Sequence, residues 1–354
     1  MLAIFKREVT NYLKRPLFWL GIAAVILGVY LHLDFYLQIH FLFPGEQIVN
    51  NYPETIHAGE TWEGYIPTPP EERRSLWEAS LEETFVSVFG MSSAEAKAAI
   101  KEAENLSIYD AVSYFEENYP VYRLASAYER TKYRKGTNEE INAYLGQVLS
   151  EKPFSYYFSR IFADFAGLYM GFFATLMLAV LFMQDTRNST YELLHTKPVT
   201  AEGYVLGKAL GGFSVCLITL AILNLVFWAV CLISTHDQGF EVPLLDFIRT
   251  TCLYILPNML MIVCTYVLIS LLFKNPLPGV PLLLLLIVYS NMPGRNAFGV
   301  SGYYGRPLAI MVRFSGQLFD TSDPPMVLLN QSFLLAASAV LLLLSIQLWK
   351  WRRI

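Results

Sequence analysis

The sequence predicts an all-α integral membrane protein with six transmembrane helices, an N-terminal amphipathic helix and a helical polar insert between the first two spans. Three observations carry this. The 354 residues are 54% hydrophobic and only 16% charged, too apolar and too charge-poor for an ordinary soluble domain. Several apolar runs reach the roughly 20 residues that a bilayer-spanning helix needs. The charge is also segregated: 19 acidic and 10 basic residues lie between Phe41 and Tyr157, whereas the remainder is basic by 5. Acidic and basic parts on opposite faces of a membrane satisfy the positive-inside rule, with both termini on the cytoplasmic side of a plasma membrane.

Residues 1–15 place Leu2, Phe5, Val9, Tyr12 and Leu13 at helical spacing, with Lys6, Arg7, Lys14 and Arg15 between them. This predicts a helix lying in the interface against anionic lipid headgroups. Pro16 opens the first span, 16–43, because proline is tolerated where a helix N–H would be unpaired anyway. Its last third carries His32, Asp34, Gln38 and His40. Polar groups at that depth suit a substrate route near the outer face, or simply a helix leaving the membrane.

Residues 44–157 form the extracytoplasmic insert. After a Pro/Gly-rich connector, helices are expected at about 71–89, 93–105, 107–118, 121–134 and 138–150, broken at Gly90, Pro120 and Gly136. Ser92 and Ser93 before Glu95, and Asn138 before Glu139 and Glu140, have the composition of helix N-caps. Trp77, Leu81, Phe85 and Phe89 share one face, as do Ile108, Val112 and Phe115, which predicts a modest core.

The second span, 158–183, carries Arg160 and Asp164, four residues apart on one face where they could pair. Phe165, Tyr169, Phe172 and Phe173 form an aromatic stripe. It suits ordinary helix packing first, and the path of an apolar or amphiphilic substrate second. After the polar loop 184–203 comes the third span, 204–234, with Gly207, Gly211 and Gly212 permitting close helix approach. The fourth span, 247–273, contains Pro257, which should kink it and free a carbonyl that needs a partner. The fifth, 277–292, is short and proline-rich. Residues 293–325, with five glycines, read as a re-entrant or interfacial segment, in which Leu308, Met311, Phe314 and Leu318 mark a short amphipathic helix. The sixth span, 326–349, ends in Lys350, Trp351, Arg352 and Arg353, aromatic and basic anchors.

The loop is the most informative stretch. It reads QDTRNSTYELLHTKPVTAEGYVLGK over 184–208. Thr190 to His195 favours a short helix at the membrane surface, and Pro198 ends it. Arg187, Glu192, Leu193, Leu194, Thr196, Pro198, Val199, Thr200, Tyr204, Gly207 and Lys208 together resemble the ABC-2 type permease family. The basic N-terminal helix resembles that family's elbow helix, and the irregular segment before the last span resembles its short outer helices. The resemblance implies that Arg187, Thr190, Tyr191, Glu192, Leu193, Leu194, His195, Thr196, Lys197 and Pro198 couple the chain to a cytoplasmic ABC ATPase subunit. It also implies a second permease chain, identical or related, and export of an amphiphile such as a peptide, lipid-linked molecule or drug. Residues 44–157 depart from the family, many members of which have a smaller first outer loop.

Absent motifs sharpen this. Gly203 to Lys208 is not a phosphate-binding loop: the glycines are one residue too close and no Ser or Thr follows. ATP and Mg would therefore sit on the partner ATPase, no cofactor is expected in this chain, and the chain is not itself an enzyme. The four cysteines all fall in apolar runs, without disulfide or metal spacing. The basic residues flank membrane spans and form no nucleic-acid patch. Other classes stay open: a non-transporting ABC subunit that relays force or signal to an outer partner, an integral-membrane enzyme, or a secondary transporter, which would need ion-gradient dependence.

Overall fold

The computed structural model describes residues 2–48, 59–183, 199–296, 300–314 and 316–351. The chain divides into two compact units. One comprises Met1–Gln38, Lys152–Met292 and Gly305–Ile354, and the other Ile39–Glu151 with Pro293–Tyr304.

The first unit holds the long apolar helices. Helix α1, Leu2–Leu13, is followed by α2, Pro16–Leu33, which continues as a 3-10 turn to Gln38. Then come α8, Phe154–Phe182, α9, Ala201–Ser234, and α10, Leu244–Thr250. A π-helical turn, Thr251–Ile255, joins α10 to α11, Leu256–Phe273. Helices α12, Gly279–Asn291, and α13, Val327–Trp351, complete it. Among the described residues, five stretches are long and apolar enough to cross a membrane: Pro16–Gln38, Phe154–Phe182, Ala201–Ser234, Leu244–Phe273 and Val327–Trp351. The central pair are α8 and the α10–α11 stretch, 61% and 67% buried in their apolar windows, against 17% for α13. Outward faces rich in Leu, as on α13, suit lipid or another apolar helix.

Several expectations are adjusted by this architecture. The first apolar helix ends at Gln38 rather than 43, and residues from Ile39 onward belong to the other unit. Helix α12 has 13 residues, about 20 Å at 1.5 Å per residue. The amphipathic helix expected around Leu308 to Leu318 is not formed among the described residues. There the backbone donates elsewhere: Ile310 N to Ser290 Oγ at 2.9 Å, and Phe314 N to Asp164 Oδ2 at 3.3 Å. Leu308 takes a positive φ of 59°, which no helix accommodates. Pro257 does mark an irregularity, expressed as the π turn ahead of it. The Tyr254 carbonyl at that turn accepts Asn258 Nδ2 at 2.8 Å.

Glycine sets how closely α2 lies on α8. A Cβ at Gly28 would fall 2.3 Å from Tyr169 Cε1, and one at Gly21 2.6 Å from Phe173 Cε2. Tyr169 and Phe173, half of the aromatic stripe, are thereby occupied in packing.

The second unit is helical with two small antiparallel strand pairs. Helices α3, Pro70–Ser87, α4, Ser93–Glu102, α5, Ile108–Asn118, and α6, Leu124–Arg130, surround a core centred on Trp77, Leu81, Phe85 and Phe115, while α7, Asn138–Glu151, buries Ile141 and Leu145 outside it. A capping box starts α4: Ser92 Oγ accepts Glu95 N at 3.3 Å, and Glu95 Oε2 accepts Ser92 N at 2.9 Å. The helix expected over 121–134 stops at Arg130. Tyr133–Lys135 instead forms strand β2, antiparallel to β1, Tyr65–Pro67. Strands β3, Gly294–Arg295, and β4, Ser301–Gly302, pair likewise, and Val300 joins the core.

Arg134 holds Glu140 bidentately, at 2.7 and 3.1 Å. With the Thr137 N–H, this lowers the Glu140 carboxyl to about 2 from an ordinary 4.5. A depressed carboxylate stabilises the fold fully above its unfolded value and loses that contribution as pH falls through the folded one. Resistance to pepsin should therefore differ between the wild type and Glu140→Gln at pH 5. The difference should close between about pH 4.5 and pH 2, and a constant gap would contradict the pairing.

Candidate functional site

Two regions of the first unit concentrate buried polar chemistry. One is formed by the stems of the 184–198 loop, the end of α8 and the start of α9. Residues 184–198 lie outside the described residues, and with them every residue from Arg187 to Pro198 expected to couple to an ATPase.

The stems are held by helices from both ends of the chain. Thr200 caps α9, its Oγ1 accepting Gly203 N at 3.1 Å, the capping geometry its residue type favours. Lys208, two turns on, is buried and lies 3.2 Å from Glu8 of α1, itself 2% exposed. The Lys208 ammonium also sits 4.9 Å from the Phe182 ring centre at the end of α8, a cation–π contact. Gly211 makes the approach possible: a Cβ there would be 2.7 Å from Glu8 Cβ. One turn after Glu8, Tyr12 donates to the Met177 carbonyl of α8. Burial pushes the Tyr12 phenol above its ordinary range, so it stays a donor. Helix α1 thus grips both stems. From the other end, Trp349 of α13 stacks on Tyr204 at 3.9 Å, and Lys350 pairs with Glu202 at 2.7 Å. The sequence reading treated α1 as lying in the interface and did not find the Glu8–Lys208 pair. The legible signal was an acid on the same face as Tyr12 in an otherwise basic helix.

The second region lies toward the start of α8. The pair expected between Arg160 and Asp164 is not made. Asp164 pairs with Arg313, which also donates to Asn291 Oδ1, while Arg160 donates to the carbonyls of Thr321 and Ser322 and to Tyr156 Oη. The physical reason is the 305–325 segment, which lies along this face of α8 and supplies both a cation and free carbonyls. Deeper in the bundle, Thr251 Oγ1 donates to Asn224 Oδ1 at 2.9 Å, and Gln331 Nε2 lies 3.3 Å from Asn258 Oδ1.

The residues proposed for a substrate path divide. Phe165 and Tyr169 meet His32 of α2, with ring centres 4.7 and 5.8 Å away. Phe172 points outward, 38% exposed. Asp34 is hydrogen-bonded to Tyr30, and no contact brings it to the rings. Of the four cysteines in apolar runs, Cys216, Cys231 and Cys264 are buried and Cys252 is exposed. Among the described residues no group of three or more His, Cys, Asp or Glu is placed to hold a metal ion.

No curated protein and no solved structure matches the chain. A family model described as ABC-2 family transporter protein matches residues 2–302, a span that includes α1, both loop stems and four of the five long apolar helices. The chain belongs to the ABC-2 family, as a multi-pass membrane permease.

Proposed function

We propose that this permease exports an amphiphilic substrate and is driven by a separate ABC ATPase through the loop at 184–208. The observation that supports the coupling most is the anchoring of both loop stems. A displacement applied to the loop reaches α8 and α9 directly. It reaches α1 through Glu8 and Tyr12, and α13 through Trp349 and Lys350. In this reading ATP and Mg bind the ATPase, two permease chains enclose the path, and α12 serves as the short fifth of six spans. Both termini lie in the cytoplasm, with α1 as the elbow at the lipid surface. The aromatic face at Phe165, Tyr169 and Phe172 would flank the substrate as α2 and α8 move apart.

The test is a pull-down of the tagged chain in mild detergent. A soluble protein with a phosphate-binding loop should accompany it, and should be lost when residues 190–197 are scrambled. Replacing Glu192, Leu193 and Leu194 with Ala should reduce ATPase association while the helices stay folded. Normal association and ATPase activity in both variants would reject the coupling role.

A second reading is favoured by one feature, the separate core of the insert around Trp77 and Phe115. A unit built to stand alone suits a non-transporting subunit that passes force to an outer partner. That reading expects ATPase activity independent of any exported substrate, and a partner retained by residues 59–151.

A further inference from the structure

At the end of α8 where the chain enters it from residue 152, a cavity of about 90 Å³ opens between α8, the α10–π turn and the 305–325 segment. Its lining is charge-balanced. Arg160 and Arg249 supply two guanidiniums, and Asp246 and Asp323 two carboxylates. Arg160 is 4% exposed, yet its guanidinium meets only neutral groups: the carbonyls of Thr321 and Ser322, the Tyr156 hydroxyl, and the rings of Tyr156 and Phe314 at 5.7 and 5.1 Å. Asp164, one turn away, is taken by Arg313, and Asp246 accepts from Ser155. Among the described residues, Arg160, Arg249 and Asp323 make no ion pair. A buried cation without a counter-ion is costly, and an anionic group in the cavity would relieve that cost. Pure anions are disfavoured there by the two carboxylates. A ligand carrying an anion and a cation side by side satisfies all four charges.

Two further features narrow the chemistry. The phenol rings of Tyr156 and Tyr254 border the cavity, and aromatic faces attract ammonium groups. Leu253 also lines it and is 48% exposed, next to the exposed Leu245 and Ile248 on the outer face of α10. Polar lining and lipid-facing surface are therefore continuous. Arg160 and Arg249 are the seventh and sixth residues of their helices, roughly 10 Å or less from the helix starts at 1.5 Å per residue. With those helix starts at the membrane surface, both would lie at headgroup depth, in the interfacial layer outside an apolar core about 30 Å thick.

We infer that this cavity binds the zwitterionic headgroup of an amphiphile, a phosphate or carboxylate beside an ammonium, with the apolar chain leaving along Leu253. The anion sits on Arg160 and Arg249, and the ammonium faces Asp323 and Asp246 between the two tyrosines. The site is independent of the ATPase, because binding is read without nucleotide.

The experiment is native mass spectrometry of the full chain, equilibrated in detergent with phosphatidylethanolamine and phosphatidylglycerol at equal concentration. Phosphatidylethanolamine should be retained preferentially. The exposed pair Arg249→Ala/Asp323→Ala should lower that retention about tenfold, the scale of losing charged hydrogen bonds, with no change in the thermal unfolding midpoint. Soluble O-phosphoethanolamine should displace the lipid where inorganic phosphate does not. Equal retention of the two lipids, displacement by inorganic phosphate alone, or a double variant that binds as the wild type does would each overturn the assignment.

Discussion

Lys208→Met should destabilise the chain by about 3–5 kcal/mol, the range for breaking a buried ion pair from one side. Glu8 and Lys208 are each 2% exposed, so solvent screening does little to soften the loss. The Glu8 carboxylate would lose the Lys208 ammonium, and the cation–π contact to Phe182 would vanish with it. Glu8→Met alone should be similarly damaging. The double variant Glu8→Met/Lys208→Met should recover most of the stability, because two well-packed apolar chains remove the desolvation cost along with the attraction. Unfolding of the purified chain in mixed detergent micelles measures all three. Single variants with wild-type midpoints would show that the pair is solvated and energetically idle. A double variant as damaged as the singles would show that packing at Gly211, not charge, holds α1 in place.

Trp77→Ala should cost about 3–5 kcal/mol, the usual range for emptying a large aromatic site in a core. Trp77 is fully buried, meets Phe115 and Tyr128 edge-on, and donates to the Leu124 carbonyl at 3.2 Å. Truncation leaves a cavity and removes the indole's hydrogen bond to the first carbonyl of α6. Against a domain stability of about 5–15 kcal/mol, this raises the opened fraction of the insert by about a hundredfold or more. The core cluster around Trp77 draws only on residues of the second unit, so the damage should stay there. Limited proteolysis should cut within residues 59–151 of the variant while the long apolar helices remain intact. Cleavage that spreads equally to both units would show that they unfold as one.

What the sequence made legible follows the range of the interactions involved. The Trp77, Leu81 and Phe85 face repeats every four residues, so periodicity alone found the side chains that fill the insert's core. The Ser92–Glu95 cap is likewise local. The β1–β2 pairing was missed because three-residue strands almost 70 positions apart carry no period of their own. Arg160 and Asp164 were placed on the correct shared face, but their partners come from residues 313–322, and no local rule supplies them. The spacing of Leu308, Met311 and Phe314 mimicked a helical stripe. In the fold Met311 is buried, Phe314 half-buried and Leu308 exposed, in an irregular segment whose N–H groups are claimed by Ser290 and Asp164. Lys208 was read as part of a loop motif, whereas it is a buried residue of α9.

The 13 residues of α12 have a meaning for the membrane itself. A helix of about 20 Å falls well short of an apolar layer about 30 Å thick. If α12 is the fifth span, as proposed above, lipid beside the outward Leu282, Leu285 and Val288 would have to thin to meet them, at a cost that rises with each ångström of mismatch. The protein would then carry a local preference for bilayer thickness. Lengthening the acyl chains around it would strain this one helix before the five longer stretches among the described residues.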